Sequence, residues 1–223
     1  MTNPHGPYTA DEARNYDRDR ESEVHWHLEN QFVATLLDRH PGREVLDVPI
    51  GTGRFLRLYE NRSVVGADLS QPMLREAELR GRQVTGLEVT LVRASITDLP
   101  FEASRFDLIV CWRMLHLLPP EVVMAAFAEL ARVCRGTVCI QCYLPGTWVQ
   151  RNSSRLWRWL RRLMMAVRGE HRLTPWSHIT NYAHPAKFIE AAAAAVGLQL
   201  DRAETIATYE GSRVVAMEWS VKS

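Results

Sequence analysis

The residues richest in chemical content lie in the stretch VLDVPIGTGRF, residues 45–55, where an apolar run ends near Asp47 and a loop with Gly51 and Gly53 follows. Glycine has no Cβ, so such a loop can bring bare backbone against a ligand. A helix starting behind it, over 52–60, favours an anionic group such as a carboxylate. Asp47 either orients that loop or meets a cationic amine. A second acid, Asp68, closes the next apolar run 21 residues further on (68 minus 47), where a carboxylate can take both hydroxyls of a ribose. Two glycines after a strand also occur in nicotinamide and flavin sites. Two features argue against those: Leu56 stands where G-x-G-x-x-G has its third glycine, and Asp47 precedes the loop, where that fingerprint asks for no carboxylate.

Groups able to move a proton lie further along. His116 sits in FDLIVCWRMLHLL, residues 106–118, and has the pKa class suited to acid–base work near neutrality. The competing reading is a histidine packed and hydrogen bonded without chemistry. His178 and Tyr182, in WSHITNYAHPAKF at 176–188, form a second pair of acid–base or binding candidates, against a loop cap or packing contact. Of the four cysteines, Cys139 and Cys142 make a single C-x-x-C inside the apolar run 137–144. They read as buried thiols of a strand in a reducing compartment, and no metal site is expected.

The elements that must position these groups alternate. A helix is expected over 22–39, with Val24, Leu28, Phe32 and Leu36 at helical spacing before Pro41 and Gly42. Short apolar runs at 45–48, 63–67, 87–92, 106–111 and 137–144 read as buried strands, with helices at 71–80, 121–133 and 185–196. Two last strands, at 198–208 and 213–220, are expected to pair antiparallel. This rhythm predicts an α/β, Rossmann-like, mostly parallel seven-stranded sheet with helices on both faces. With 223 residues, one domain over 1–223 is expected, comprising a helical cap at 1–40 and an inserted helical lid at 148–180.

In this setting the residues resemble the class I S-adenosylmethionine-dependent methyltransferases. Asp47, Gly51 and Gly53 match the family's D-x-G-x-G-x-G, with Pro49 where its first glycine is usual. Proline fixes φ and removes an N–H, so that position neither adopts positive φ nor donates to a ligand. Asp68 matches the ribose-binding acid, and Leu69 and Met73 match apolar positions near the adenine. RASITDLPF, residues 93–101, resembles the third motif, with Ser95 replacing the acid that meets the adenine amino group and Ile96 following; Asp98 faces solvent in that pattern. The fourth strand, ending at Cys111, and its loop with Trp112 and Arg113 border donor and acceptor in the family. Tyr16 and Arg20 resemble the Y-x-x-x-R of an N-terminal helix that covers the cofactor. The resemblance implies S-adenosylmethionine as cofactor, S-adenosylhomocysteine as product, and a small-molecule acceptor.

Methyl transfer from a sulfonium is an in-line displacement on an activated electrophile, so alignment and desolvation come first and a general base is optional. Lys plus Arg (27) and Asp plus Glu (26) nearly cancel, which argues against nucleic acid as acceptor. So does CWRM, where base methyltransferases carry [DN]-P-P-[YF]. Residues 151–172 hold seven arginines against Glu170 alone, and an apolar stripe runs from Leu156 to Val167. That segment reads as a lid helix, a peripheral membrane contact giving access to a lipid or quinone, or a patch for an acidic acceptor or nucleic acid with Trp157 available for stacking. A non-catalytic S-adenosylmethionine-binding partner subunit is the remaining alternative. The N-terminus lacks the apolar core of a signal peptide, and a cytoplasmic location is expected.

Overall fold

The computed structural model describes residues 8–21, 23–145, 182, 184–209 and 212–221. The arginine-rich segment at 151–172 and His178 lie outside them, as does Ser22. Seven strands form one sheet: β1 (Glu44–Asp47), β2 (Ser63–Asp68), β3 (Glu88–Arg93), β4 (Phe106–Cys111), β5 (Cys134–Pro145), β6 (Leu198–Tyr209) and β7 (Ser212–Val221). Their spatial order is β3-β2-β1-β4-β5-β7-β6. The first five pair in parallel, and β7 joins β5 and β6 antiparallel. This is the α/β Rossmann-like sheet that the alternation of runs predicts, with its C-terminal antiparallel pair. The strand order reverses at β1 and β4, and a crevice opens there beyond the carboxyl ends of the strands.

Among the described residues the α-helices are α1 (Ala10–Asn15), α2 (Val24–Arg39), α3 (Gln71–Gly81), α4 (Pro120–Val133) and α5 (Ala186–Ala195). Their starts follow local chemistry. Thr9 and Glu12 close a capping box at α1. Ser70 caps α3, where Pro72 occupies a first-turn position whose N–H would be unpaired anyway. The core divides across the sheet. α4 and α5 cover one face through Val123, Phe127, Leu130 and Ile189, while α2 and α3 cover the other through Phe32, Val33, Leu36 and Leu74.

Two sequence expectations fail locally. No helix spans 52–60; a turn leads into a single 3-10 turn at Leu56–Leu58. Gly51 and Gly53 take φ of 55° and 75°, a left-handed backbone that cannot continue a right-handed helix. The helix dipole invoked for that loop is therefore missing, and only its backbone groups remain. On α2, Leu28 is 37% exposed, and the buried stripe is instead His25, Trp26, Glu29, Phe32, Val33, Leu36 and Leu37. Two polar residues hold positions on it because Glu29 finds a buried guanidinium and His25 pairs with Glu23 at 3.0 Å.

All four cysteines are buried and free, and burial pushes the Cys142 thiol up to about 12 and Cys134 to about 11. They are packing residues, as the sequence suggests. Among the described residues no cluster fits a metal ion and no helix is long and apolar enough to cross a membrane.

Candidate active site

A cavity of about 430 Å³ lies at the carboxyl ends of β1, β2 and β4. Asp47 forms part of its floor. Its side chain accepts a 3.0 Å hydrogen bond from the Tyr59 hydroxyl, and both residues are fully or almost fully buried. Burial pushes the Asp47 carboxyl up to about 7; the Tyr59 hydrogen bond opposes that rise and the charge of Asp68 adds to it. Pro49 follows through a cis Val48–Pro49 peptide and also lines the cavity. Pro49 and Gly51 thus put bare backbone and a rigid ring against the space a ligand would fill.

Asp68 ties the loop to the next strand. It accepts from the Gly51 N–H at 2.9 Å and from the Ser70 N–H at 2.8 Å. Burial pushes its carboxyl up to about 6, against the pull of the Ser70, Gly51 and Leu69 backbone groups. Beside it, Leu69, Met73, Ser95 and Ile96 line one apolar part of the cavity. The Ser95 hydroxyl is paired with the Thr97 side chain at 2.8 Å and accepts from the Thr97 N–H at 3.2 Å, so a ligand amino group would share it. Asp98 is exposed, in agreement with the motif reading.

The two glycines of the loop have different reasons to be glycine. A Cβ on Gly51 would meet nothing within 4 Å, because that position borders the cavity. A Cβ on Gly53 would lie 2.5 Å from Leu56 Cδ1 and 3.1 Å from Ala77 Cα. Gly53 does not line the cavity: it lets the loop sit on α3. Cys111 is likewise buried without lining the cavity. Tyr16 does line it, edge-on to Tyr8 at 5.9 Å, while Arg20 lies over the Tyr16 ring at 3.9 Å and supports it from behind.

Of the proton-transfer candidates, His116 and Tyr182 stand outside the cavity lining, and His178 lies outside the described residues. His116 packs edge-on against Tyr143, with ring centroids 4.8 Å apart. Its carbonyl accepts from the Tyr182 N–H at 2.7 Å, so the fold does bring these two segments together through backbone. The Tyr182 ring stacks on His184. His184 Nε2 lies 3.2 and 3.0 Å from the Leu115 and Leu118 carbonyls, stapling the approach to α5 onto the loop after β4.

Sequence reasoning missed a polar wall. Arg54 lines the cavity and donates to Asn30 Oδ1 at 3.0 Å, to Glu29 Oε2 at 2.6 Å and to the Trp26 carbonyl, with its guanidinium 3.4 Å over the Trp26 ring. The signal available was Glu29, a lone acid on the stripe of α2 that packs inward. Trp112 and Arg113 complete the wall. Arg113 has φ of 54°, and its N–H donates to Gln141 Oε1 at 3.0 Å. From the N-terminal segment, Asp17 accepts from the Thr52 hydroxyl at 2.8 Å and pairs with Arg80.

Comparison with known proteins bears on this geometry. Residues 45–136 match the family described as "Methyltransferase domain". Phosphatidylethanolamine N-methyltransferase of Cereibacter sphaeroides is 38% identical over 98 residues, covering 42% of this chain and 46% of that protein. The match to the curated relatives thus spans less than half of their length. Among solved structures, magnesium protoporphyrin IX methyltransferase from Synechocystis PCC 6803, with bound S-adenosylhomocysteine, superposes with a TM-score of 0.65. It is 17% identical, covering 89% of this chain and 84% of that one. An S-adenosylmethionine-dependent methyltransferase from Clostridium acetobutylicum gives a TM-score of 0.67 at 15% identity, over 96% of this chain and 98% of that one. Residues 45–136 thus match the methyltransferase-domain family, and the described residues share the fold of these S-adenosylmethionine-dependent methyltransferases.

Proposed function

We propose that the protein transfers a methyl group from S-adenosylmethionine to a small-molecule acceptor by in-line displacement, releasing S-adenosylhomocysteine. One observation carries this reading. A single cavity joins the Gly51 backbone to Asp68 and to the apolar group Leu69, Met73 and Ile96. Those are the surfaces that the amino-acid end, the ribose and the adenine of the donor require. Asp47 would favour the donor's cationic amine, and the Ser95 hydroxyl its adenine amino group. Tyr16, with Arg20 stacked on it, would cover the methionine end. Gly53 and Cys111 shape the loop and strand behind the ligand.

The protein's part in the reaction is then alignment and exclusion of water, with 1–223 acting as one domain and 1–40 as its cap. His116 and Tyr182, with His178 from the segment before it, are the groups available to take a proton if the acceptor must lose one. Calorimetric titration of the full chain with S-adenosylhomocysteine tests the reading. Saturable heat is expected, and its absence on folded protein removes the assignment. Release of S-adenosylhomocysteine from the methyl donor with any acceptor rejects the alternative of a non-catalytic binding subunit.

A second reading is favoured by the identity to the phosphatidylethanolamine N-methyltransferase: an acceptor resident in lipid, reached through residues 151–172 lying on the membrane surface. Co-sedimentation with anionic vesicles at low salt is its expected result. Protein left wholly in the supernatant excludes it.

A further inference from the structure

We propose that Arg113, held in place by Gln141, is the anchor for the carboxylate of the donor's methionine moiety; this rests on the donor reading above. Two cationic side chains line the cavity among the described residues, Arg54 and Arg113. Arg54 spends its N–H groups on the fold, with bonds to Asn30, Glu29 and the Trp26 carbonyl. Arg113 does not. Its Nη1 is buried without a hydrogen-bond partner, and the acid paired with it, Glu23, stands 3.6 Å away while also engaging His25 at 3.0 Å. A buried guanidinium N–H left unpaired is costly, and an anion arriving in the cavity relieves that cost.

The placement of Arg113 is built rather than incidental. Arg113 has a left-handed backbone, φ 54°, which a non-glycine residue holds only where its surroundings enforce it. The enforcing contact is the 3.0 Å hydrogen bond from the Arg113 N–H to Gln141 Oε1, and Gln141 is wholly buried in β5. The turn leaves β4 beside the floor of the cavity. Asp47 pairs in the sheet with Val110, three residues before Arg113, so roughly 10 Å of backbone at most separates the Arg113 Cα from that register. The floor itself carries two carboxylates, Asp47 and Asp68. A zwitterionic amino-acid group entering such a cavity with its ammonium towards an acid is favoured by a cation at its carboxylate, and among the described residues Arg113 is the cavity-lining cation with a side-chain N–H not already bonded.

The discriminating probes are S-adenosylhomocysteine, which carries the amino-acid group, and 5′-methylthioadenosine, which lacks it. Affinities are measured by calorimetry on the full chain for wild type, Arg113→Met, Arg113→Lys and Gln141→Leu. Loss of one charge-assisted contact predicts that Arg113→Met binds S-adenosylhomocysteine roughly 10- to 100-fold more weakly and changes methylthioadenosine affinity less than about threefold. Arg113→Lys should recover part of the loss, because an ammonium keeps the charge but not the fork. Gln141→Leu should show the same selective weakening in smaller measure, which a general loosening of the fold would not produce. Equal weakening of both ligands, or no weakening of either, in the variants that remain folded overturns the proposal. If wild type binds methylthioadenosine and S-adenosylhomocysteine equally well, the anchor is refuted while the donor site stands. If wild type binds neither, the donor reading fails and the anchor with it.

Discussion

Replacing Asp47 by asparagine should stabilise the unliganded protein while weakening donor binding. Asp47 is 1% exposed, and burial pushes its carboxyl from 3.8 to about 7. The sign follows from linkage. Between those two values the folded state binds the extra proton, so stability falls as pH rises from the unfolded value through the folded one. The loss is about 0.5 kcal/mol at pH 4 and grows to about 4 kcal/mol by pH 8, levelling off above pH 7. Asparagine has no charge to desolvate, and its carbonyl can still accept from the Tyr59 hydroxyl, whose bond to Asp47 is 3.0 Å. Urea denaturation of wild type and Asp47→Asn from pH 4 to pH 9 measures the difference. The variant's advantage should widen with pH and then hold constant. A difference independent of pH, or a wild type more stable than the variant at pH 8, would show that the carboxylate is not held against desolvation.

The same two acids make donor affinity pH dependent. If binding needs Asp47 and Asp68 ionised, with folded values of about 7 and about 6, affinity for S-adenosylhomocysteine should fall about 100-fold between pH 8 and pH 5.5, and Asp47→Asn should flatten the upper part of that curve in calorimetry. Arg54→Met strands Glu29, which is 0% exposed, and should cost about 3–5 kcal/mol in chemical denaturation. The glycines should separate: Gly51→Ala meets open space and costs only the left-handed backbone, about 1–2 kcal/mol, yet places a methyl group in the donor site and weakens ligand binding. Gly53→Ala drives its methyl into Leu56 and the Ala77 backbone and should lose more stability than Gly51→Ala, about 2–4 kcal/mol. Thermal unfolding and calorimetry on the two variants, compared side by side, check that contrast.

Period and punctuation in the chain carry its architecture. Apolar runs of strand length, separated by amphipathic stretches, impose a parallel sheet with two covered faces, since an all-apolar strand must be buried on both sides. The order of Asp47, the glycine loop and Asp68 on consecutive strands then places those groups at the switch point between β1 and β4. These are local facts, and each can be read residue by residue. Tertiary structure decided what depends on partners distant in sequence. Glu29, an acid on the inward-packing stripe of α2, shows no partner until Arg54 arrives from a loop 25 residues away. Gly53 reads as a ligand-facing glycine until α3 packs against it, and Arg113 as a loop cation until Gln141 of β5, 28 residues on, locks its backbone. Hydrophobic periodicity is encoded along the chain, but the pairing of buried charges exists only where the fold brings separate segments together.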